Sequence, residues 1–355
     1  MNARCPGCGQ VRQISMAVGA CVDCLRQGQA EALLHALETH RAARRKFGLP
    51  PEPPRTPDGV RCTVCGNECE IGPGERGFCG LRTNLAGRLQ ALAGSSRCGL
   101  LQWYRDPLPT NCVADWVCPG HQQLGKHNLA VFYGACSFDC LFCQNWHFRE
   151  MAPESRHVRS AQSLSDVATP DTFCVCYFGG DPSPQMPHAL AASRRLAERG
   201  VRICWETNGS MSPAYLRRAV DLSLNSGGCI KFDLKAWNED LHLALTGLSN
   251  RRTLENFALA AHRIYERRDP PLVVASTLLV PGYVDAAEVS SIARFIASLD
   301  PDIPYALLAF SPQFHMHDLP HTSREYAEGA FKAARAAGLT RVRLGNRHLL
   351  GIGQG

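Results

Sequence analysis

Three cysteines constrain this chain more than any other feature, because their spacing limits what they can bind. They are Cys136, Cys140 and Cys143, in a segment that reads CSFDCLFC and follows a strand-like apolar run. Ordinary zinc sites and electron-transfer clusters use four protein ligands. Three neighbouring thiolates instead predict a cubane cluster with one iron open to another ligand. The alternative interpretations are a zinc knuckle and chance clustering in a cysteine-rich chain.

The composition is that of a metal-binding protein in a reducing compartment. The 355 residues include 18 cysteines, several of them in C-x2-C pairs, which indicates metal sites rather than disulfides in so long a chain. The N-terminus lacks the apolar stretch of a signal peptide, and no apolar run approaches the length of a membrane span. We therefore expect a cytoplasmic protein without a membrane partner. The net charge of +6 is mild, and we do not expect a nucleic acid partner.

Two four-cysteine sets precede the central segment. The first forms two C-x2-C pairs and predicts a zinc-ribbon-like knuckle whose metal, zinc or iron, holds a short segment folded. The second lies in glycine-rich sequence and could close a structural zinc site or hold a second iron–sulfur cluster. We favour zinc, because nothing nearby marks an electron path. The first set is Cys5, Cys8, Cys21 and Cys24, and the second is Cys62, Cys65, Cys69 and Cys79.

The other cysteines have weaker patterns. Cys98, Cys112 and Cys118 could be three ligands of an auxiliary cluster, although their spacing of 14 and 6 residues is irregular. Four more fall inside predicted strands, and we interpret them as small buried apolar residues. These four are Cys174, Cys176, Cys204 and Cys229.

From residue 126 onward, apolar runs alternate with amphipathic helices. The runs are 129–133, 173–178, 201–205, 229–234, 272–280 and 305–310, with a short final run at 342–344. This alternation predicts βα units and a parallel sheet, and six units fit a partial (β/α)6 barrel of the α/β class. We expect a zinc-ribbon-like knuckle plus helix over 1–48 and a proline-rich linker over 49–58. A cysteine-rich extension and connector would then cover 59–125, and the barrel 126–355.

Polar or glycine residues follow several predicted strands, where the chemistry of such barrels gathers. Glycines let a ligand approach the backbone, and a neighbouring carboxylate can accept hydrogen bonds from an ammonium group. The alternatives are ordinary turns and a surface ion pair. The residues at these strand ends are Gly179, Gly180, Asp181, Thr207, Asn208, Asp233 and Lys235.

Together these motifs resemble the radical S-adenosylmethionine (SAM) superfamily, whose signature is Cys-x3-Cys-x2-Cys with an aromatic residue before the last cysteine. From about residue 60 to residue 346 the chain is similar to the activase-like family that includes pyruvate formate-lyase activating enzyme. The similarity is greatest to the branch called the AmmeMemoRadiSam system radical SAM enzyme. Two departures are Gly-Gly-Asp-Pro at 179–182, where that branch has Asn-Glu-Pro, and the extra ribbon at 1–27. A third is Glu206, which replaces an aspartate that helps the activases bind a monovalent cation.

The resemblance implies that Cys136, Cys140 and Cys143 hold a [4Fe–4S] cluster whose open iron binds SAM. Reductive cleavage of SAM would give methionine and a 5′-deoxyadenosyl radical, which abstracts hydrogen from a substrate, here expected to be a protein glycine. It further implies an oxygen-sensitive oxidoreductase supplied by an external electron donor such as flavodoxin or ferredoxin. The strand-end residues named above would bind SAM, and Asp233 and Lys235 would also be catalytic.

Two other functions remain open from the sequence. A radical SAM enzyme with the same cysteines could modify a small molecule or a peptide, including by methyl transfer. A non-enzymatic iron–sulfur or zinc-ribbon protein would not cleave SAM, and it would leave the Gly-Gly-Asp-Pro and Asp-Leu-Lys strand ends without a role.

Overall fold

The computed structural model describes residues 2–351, and its elements are numbered here along the chain. The strands are β1 (Asn2–Arg4), β2 (Val11–Gln13), β3 (Val60–Arg61), β4 (Glu70–Ile71), β5 (Arg82–Leu85), β6 (Arg88–Ala91), β7 (Cys98–Pro107), β8 (His127–Tyr133), β9 (Val158–Ser160), β10 (Thr172–Phe178), β11 (Arg202–Thr207), β12 (Ile230–Asp233), β13 (Val273–Leu279), β14 (Tyr305–Ala309) and β15 (Val342–Gly345). The α-helices are α1 (Val22–Arg26), α2 (Ala30–Lys46), α3 (Ala161–Asp166), α4 (Met186–Glu198), α5 (Pro213–Ser226), α6 (Glu239–Thr246), α7 (Arg251–Ala261), α8 (Ala286–Leu299) and α9 (Arg324–Ala336).

A nine-stranded sheet forms the centre of the protein, in the order β15-β14-β13-β12-β11-β10-β8-β7-β9. From β8 to β15 the neighbouring strands in this order are parallel. β7 and β9 are antiparallel additions at one edge. Within the described residues 2–351 the sheet thus has two different edge strands, β15 and β9, and does not close on itself. This arrangement confirms the predicted α/β fold with a partial parallel barrel.

Helices connect the parallel strands and cover one face of the sheet. Large side chains on that face are completely buried, among them Tyr177, Trp205 and Phe232. Successive residues of a strand point to opposite faces, so their neighbours Cys176, Cys204 and Lys231 point to the inner face. Most of the helices begin at residues suited to capping. The side chains of Asn238, Asp285 and Ser323, for example, each accept a backbone hydrogen bond from the residue three positions later.

The N-terminal region packs on the sheet domain rather than apart from it. The backbone N–H of Ser15 donates to the Tyr283 hydroxyl at 2.9 Å, and Arg26 forms ion pairs with Asp285 and Glu288 at 2.6 and 3.1 Å. α2 then runs to the cysteine loop that follows β8, which it contacts through buried polar side chains. Among residues 2–351, no helix combines the length and the hydrophobicity that crossing a bilayer requires.

Candidate active site

The cysteine loop at 136–143 lies against the last turn of α6. The backbone N–H groups of Asp139 and Leu141 donate to the carbonyl oxygens of Thr246 and Leu245, at 2.9 and 3.0 Å. These carbonyls belong to the last turn of a helix and have no partner inside it. The loop therefore supplies hydrogen-bond donors to the free carbonyl groups at the end of α6. In return, these carbonyls fix the backbone of the loop that carries the cysteines.

The three cysteines face the space beyond the carboxyl ends of the strands. Cys140 is buried, whereas Cys136 and Cys143 are half-buried. Burial raises the pKa of Cys140 to about 12, although the nearby Lys235 ammonium lowers it. A thiolate at this position therefore needs a strong positive partner, and iron is such a partner.

Two glycines at the end of β10 bring the backbone against the start of the cysteine loop. Gly179 and Gly180 have φ of 65° and 52°, in the left-handed region that other residues rarely adopt. A Cβ on Gly180 would lie 2.2 Å from the carbonyl oxygen of Tyr133 and 2.5 Å from that of Ala135. A Cβ on Gly179 would lie 2.1 Å from the Phe132 ring. Only glycine fits both positions.

Asp181 follows these glycines and is held by several donors. Its carboxylate accepts hydrogen bonds from the backbone N–H of Ser183 and that of Asn208, both at 2.6 Å, and from the Thr207 hydroxyl at 3.1 Å. Burial raises the pKa of Asp181, and these hydrogen bonds offset only part of that effect. Within residues 2–351 no basic side chain forms an ion pair with it. The buried carboxylate is thus suited to an incoming cationic group.

Asn208 joins the end of β11 to the cysteine loop. Its side-chain amide nitrogen donates to the Ser137 hydroxyl at 2.9 Å and lies 3.7 Å from the Cys136 sulfur. Its backbone carbonyl accepts a hydrogen bond from Thr253 at 2.6 Å. Asn208 is therefore held by Thr253 on one side and contacts the cysteine loop on the other. It positions Cys136 relative to the strand ends.

Asp233 and Lys235 form an ion pair at the end of β12. Burial alone would lower the pKa of Lys235, but Asp233 and the thiols of Cys140 and Cys143 raise it, so the amine stays protonated. The second carboxylate oxygen of Asp233, Oδ1, is buried and has no hydrogen-bond partner among the described residues. A donor supplied by a ligand would satisfy that oxygen.

One cavity of about 880 Å³ contains every SAM-site and cluster-binding residue that we predicted from the strand ends and the cysteine segment. Its predicted lining residues are Cys136, Cys140, Cys143, Gly179, Gly180, Asp181, Thr207, Asn208, Asp233 and Lys235. The three thiols could bind a cluster. The buried carboxylate of Asp181, which has no ion-pair partner within residues 2–351, and the free oxygen of Asp233 could hold a polar ligand beside it.

The sequence did not single out several other residues of this cavity. They are Phe138, Phe142, Gln144, Asn145, Phe148, Arg149, Phe178, Leu278 and Leu308, whereas Glu206, also in the cavity, was noted only as a departure from the activases. The aromatic residue before Cys143 was noted only as part of a motif. Arg149 lies ten residues beyond Asp139 and carried no pattern of its own, so only the folded chain reveals its place.

The first four-cysteine set is gathered into one site. The ligand atoms of Cys5, Cys8, Cys21 and Cys24 all lie within 4.8 Å of one another. Two of the sulfur pairs are 3.7 Å apart. Sulfurs bound tetrahedrally at the zinc–sulfur distance would be about 3.8 Å apart. The predicted four-cysteine site therefore has the dimensions of a mononuclear metal centre.

The second four-cysteine set is less compact. Cys62, Cys65 and Cys69 are buried and Cys79 is half-buried. Across residues 2–351, the N-terminal set alone brings three or more such ligand atoms within 4.8 Å of each other. The sulfurs of the second set are thus spread more widely than a single tetrahedral ion needs, and the metal they bind stays a prediction.

The three connector cysteines are not brought together. Cys98 lies at the start of β7, where its sulfur is 3.7 Å from the Ser95 hydroxyl. Cys112 and Cys118 instead line a cavity inside the sheet domain. The possibility of an auxiliary cluster on all three therefore has no geometric support.

The family model described as Radical SAM superfamily matches residues 130–296, the part that carries the cysteine loop and the strand ends through β13. An uncharacterized protein of Methanocaldococcus jannaschii is 28% identical over 292 residues, which cover 81% of either chain.

Two named relatives share shorter segments. The isethionate sulfite-lyase activating enzyme of Desulfovibrio desulfuricans is 36% identical over 134 residues, which are 37% of this chain and 40% of that enzyme. The pyruvate formate-lyase 1-activating enzyme of Escherichia coli is 26% identical over 167 residues, 44% of this chain and 62% of the relative. The chain thus spans less than two thirds of either activating enzyme.

Among solved structures, a domain of the pyruvate-formate lyase-activating enzyme of Bacteroides vulgatus gives a TM-score of 0.40 at 19% identity, covering 49% of this chain and 99% of that domain. The family match coincides with the cavity described above. Residues 130–296 therefore form a radical SAM domain, and the chain that carries it is an enzyme.

Proposed function

We propose that this enzyme binds SAM in the 880 Å³ cavity, cleaves it reductively and abstracts hydrogen from a glycine of a protein substrate. SAM binding and cleavage are supported by one observation: the three thiols of the cysteine loop and the ends of three strands line the same cavity. When bound, a [4Fe–4S] cluster on Cys136, Cys140 and Cys143 would supply the electron for the cleavage. In the cell we expect an external donor such as flavodoxin or ferredoxin to deliver it.

Asp181 is the residue best suited to the amino group of the methionine part of SAM. Its carboxylate is buried and fixed by three donors, yet no cationic side chain within residues 2–351 balances its charge. A ligand ammonium would supply that charge and form charge-assisted hydrogen bonds. Gly179 and Gly180 let the chain before it pack directly against the Phe132 ring and the carbonyl oxygens of Tyr133 and Ala135, which places Asp181 beside the cysteine loop.

Asp233 and Lys235 are suited to the polar remainder of SAM. The free Oδ1 of Asp233 can accept a hydrogen bond from a ribose hydroxyl, while its other oxygen holds the Lys235 ammonium in place. Lys235 thereby keeps a positive charge close to the cluster-binding thiols of Cys140 and Cys143. Such a charge would favour the thiolate forms that bind iron.

A protein substrate is supported by the space next to the SAM cavity and by the named relatives. A second cavity of about 1070 Å³ shares Asn145, Phe178 and Glu206 with the first and extends to Asn346 after β15. Because the sheet does not close between β15 and β9, a peptide loop has a lateral route to the site. Two relatives are named as activating enzymes of lyases, which supports a protein as the target.

The cleavage reaction can be tested directly. The full chain would be reconstituted anaerobically with iron and sulfide, mixed with SAM and dithionite, and analysed by mass spectrometry for 5′-deoxyadenosine. We expect product from the wild type and from Cys98→Ala, which alters a cysteine outside the cavity, and none from Cys143→Ala. A wild-type protein that carries no cluster after reconstitution would overturn the proposal.

The substrate class needs a separate measurement. Synthetic peptides with glycine deuterated at Cα would be added to the same reaction, and the product would be examined for deuterium. Transfer of deuterium into 5′-deoxyadenosine supports glycine as the site of abstraction. Formation of S-adenosylhomocysteine instead would favour methyl transfer, and deuterium transfer only from a non-peptide compound would favour a small-molecule substrate.

A further inference from the structure

We propose that the interior of the barrel, below the SAM cavity, holds a second iron–sulfur cluster bound by Cys118, Cys174, Cys204 and Cys229. The three strand residues among them lie in or just before the amino-terminal halves of β10, β11 and β12. Cys204 precedes Asn208 of the active site by four positions, and Cys229 precedes Asp233 by four. At the rise of a β-strand, four residues correspond to about 13 Å.

The inner face of the sheet is unusual in composition at this level. Branched aliphatic side chains normally fill the inside of such barrels. Here Cys176 of β10 lies beside Cys204 of β11 in the parallel register, and Cys229 directly precedes β12. Alternation along β10 places Cys174 on the same face as Cys176. The thiols of three neighbouring strands therefore point into one space.

The connector before β8 covers this space and adds two more thiols. Cys112 and Cys118 lie in the segment between β7 and β8, and both line the cavity that also contains the strand cysteines. The sulfur of Cys118 accepts a hydrogen bond from the backbone N–H of Gly120 at 3.5 Å, as sulfurs of bound thiolates often do.

The sulfurs of the three strand cysteines line the same cavity, with Cys204 on the strand between those of Cys174 and Cys229. They do not all lie within 4.8 Å of one another, and neither do the three cysteines of the SAM cluster loop. Spacing wider than that of a single tetrahedral ion is what a polynuclear cluster requires.

A buried lysine provides an independent reason to expect negative charge here. Lys231 is 1% exposed, and its ammonium lies 3.0 Å from the sulfur of Cys176 and 3.2 Å from that of Cys112. Its carboxylate partner, Glu206, is 3.3 Å away and partly exposed. Burying an ammonium among neutral thiols is costly, whereas an anionic thiolate-bound cluster would balance it.

The proposal can be tested in a full-length chain that cannot bind the other expected clusters. This parent protein carries Cys136→Ala, Cys140→Ala, Cys143→Ala, Cys62→Ala and Cys65→Ala, and is reconstituted anaerobically with iron and sulfide. We expect acid-labile sulfide and iron to remain bound. A single iron at the N-terminal cysteines would contain no such sulfide, so the two sites are distinguishable.

Further substitutions then locate the cluster. Adding Cys204→Ala and Cys229→Ala to the parent should remove the remaining sulfide and its iron, whereas adding Cys98→Ala should leave both unchanged. Sulfide absent from a parent whose circular dichroism matches the wild type would overturn the proposal. Zinc in place of iron, or sulfide unaffected by the two barrel substitutions, would overturn it as well.

A second comparison keeps the test independent of the parent's folding. Cys204→Ala with Cys229→Ala in the otherwise wild-type chain should lower the sulfide content by one cluster's share, and Cys98→Ala should not. Equal contents in the wild type and the double variant would contradict a barrel cluster. Because every readout is metal or sulfide content, these results do not depend on whether the enzyme cleaves SAM.

Discussion

The imidazole Nδ1 of His40 lies 3.0 Å from a carboxylate oxygen of Asp139, a residue inside the cysteine loop and 99 positions away. Arg149 donates to the other oxygen at 2.8 Å, and Arg44 lies 3.4 Å from it. All four side chains are buried. Burial raises the pKa of Asp139, but His40 and the two arginines outweigh it, so the pKa is lowered overall. The N-terminal helix thus helps to hold the loop that presents the cluster ligands.

We predict that Asp139→Asn destabilises the protein by about 3–5 kcal/mol, because it leaves two buried arginines without their countercharge. Its cluster occupancy should fall with it, since the loop loses its anchor. Urea unfolding followed by circular dichroism and iron analysis would measure both effects. Glu38→Gln is the matched control, because Glu38 is an exposed carboxylate that pairs with Arg41 and Arg45 on α2. Equal stability of the two variants would contradict this role of Asp139.

Gly180→Ala should disrupt the SAM cavity. Its Cβ would lie 2.2 Å from the Tyr133 carbonyl oxygen, and the left-handed backbone adds strain, so we expect a loss of about 3 kcal/mol or more. Gly200→Ala is the control, because Gly200 also has a positive φ but its Cβ would meet nothing within 4 Å. That variant should lose only about 1 kcal/mol. Thermal unfolding and equilibrium dialysis with SAM would separate the two. Normal SAM binding by Gly180→Ala would argue against this site.

Two buried histidines should make the protein sensitive to mild acid. Burial lowers the pKa of His188 to about 4 and that of His242 to about 4, from an ordinary value of 6.5. Between pH 6.5 and pH 4 these histidines are protonated in the unfolded chain but not in the folded chain. The free energy of unfolding therefore falls as the pH falls from 6.5 towards 4. Each histidine should contribute up to about 3 kcal/mol of this loss. Above pH 6.5 neither contributes a change.

The measurement for this prediction is the urea midpoint between pH 6.5 and pH 5. His242→Asn should reduce the slope of stability against pH by about half a proton at pH 6.5, rising towards one proton, or at most about 1.4 kcal/mol per pH unit, near pH 5. A variant slope equal to that of the wild type would show that His242 is not held neutral in the fold.

The N-terminal cysteines should account for one metal ion per chain. Cys5→Ser with Cys24→Ser should remove that ion, and about 10 kcal/mol of metal-binding energy would no longer stabilise the ribbon. Because α2 follows the ribbon and carries His40, iron loading at the active site should also decrease. Elemental analysis for zinc and iron, with Cys98→Ala as control, measures both. Unchanged metal content in the double variant would contradict a site at these cysteines.

Much of the fold could be predicted because it rests on local patterns. Each predicted apolar run from residue 129 onward corresponds to a strand, and the boundaries differ by at most two residues, as at 201–205 and β11 (Arg202–Thr207). The α/β class and the partial barrel follow from alternation alone. The two antiparallel strands at the edge, β7 and β9, were not predicted, because their pairing depends on a partner distant in sequence.

The active-site prediction relied on the rule that the carboxyl ends of parallel strands meet, which gathers Asp181, Asn208 and Asp233 into one cavity. The rule could not show that, among residues 2–351, Asp181 has no cationic partner and one oxygen of Asp233 accepts no hydrogen bond, because both facts depend on neighbours from other elements. The same limit applies to Asp139, whose partner His40 lies in a different predicted module.

Features that depend on short spacing along the chain can be predicted from the sequence: the three-cysteine motif, the paired cysteines of the ribbon, and the order of strands and helices. Contacts between distant residues depend on how the strands and helices pack. Cys174, Cys204 and Cys229 each look like a small apolar strand residue in the sequence. The register of three parallel strands and the connector above them bring their thiols into one cavity with a buried lysine. Ligand spacing within a loop is fixed by the covalent chain, whereas contact between strands is fixed by hydrogen-bond register and packing.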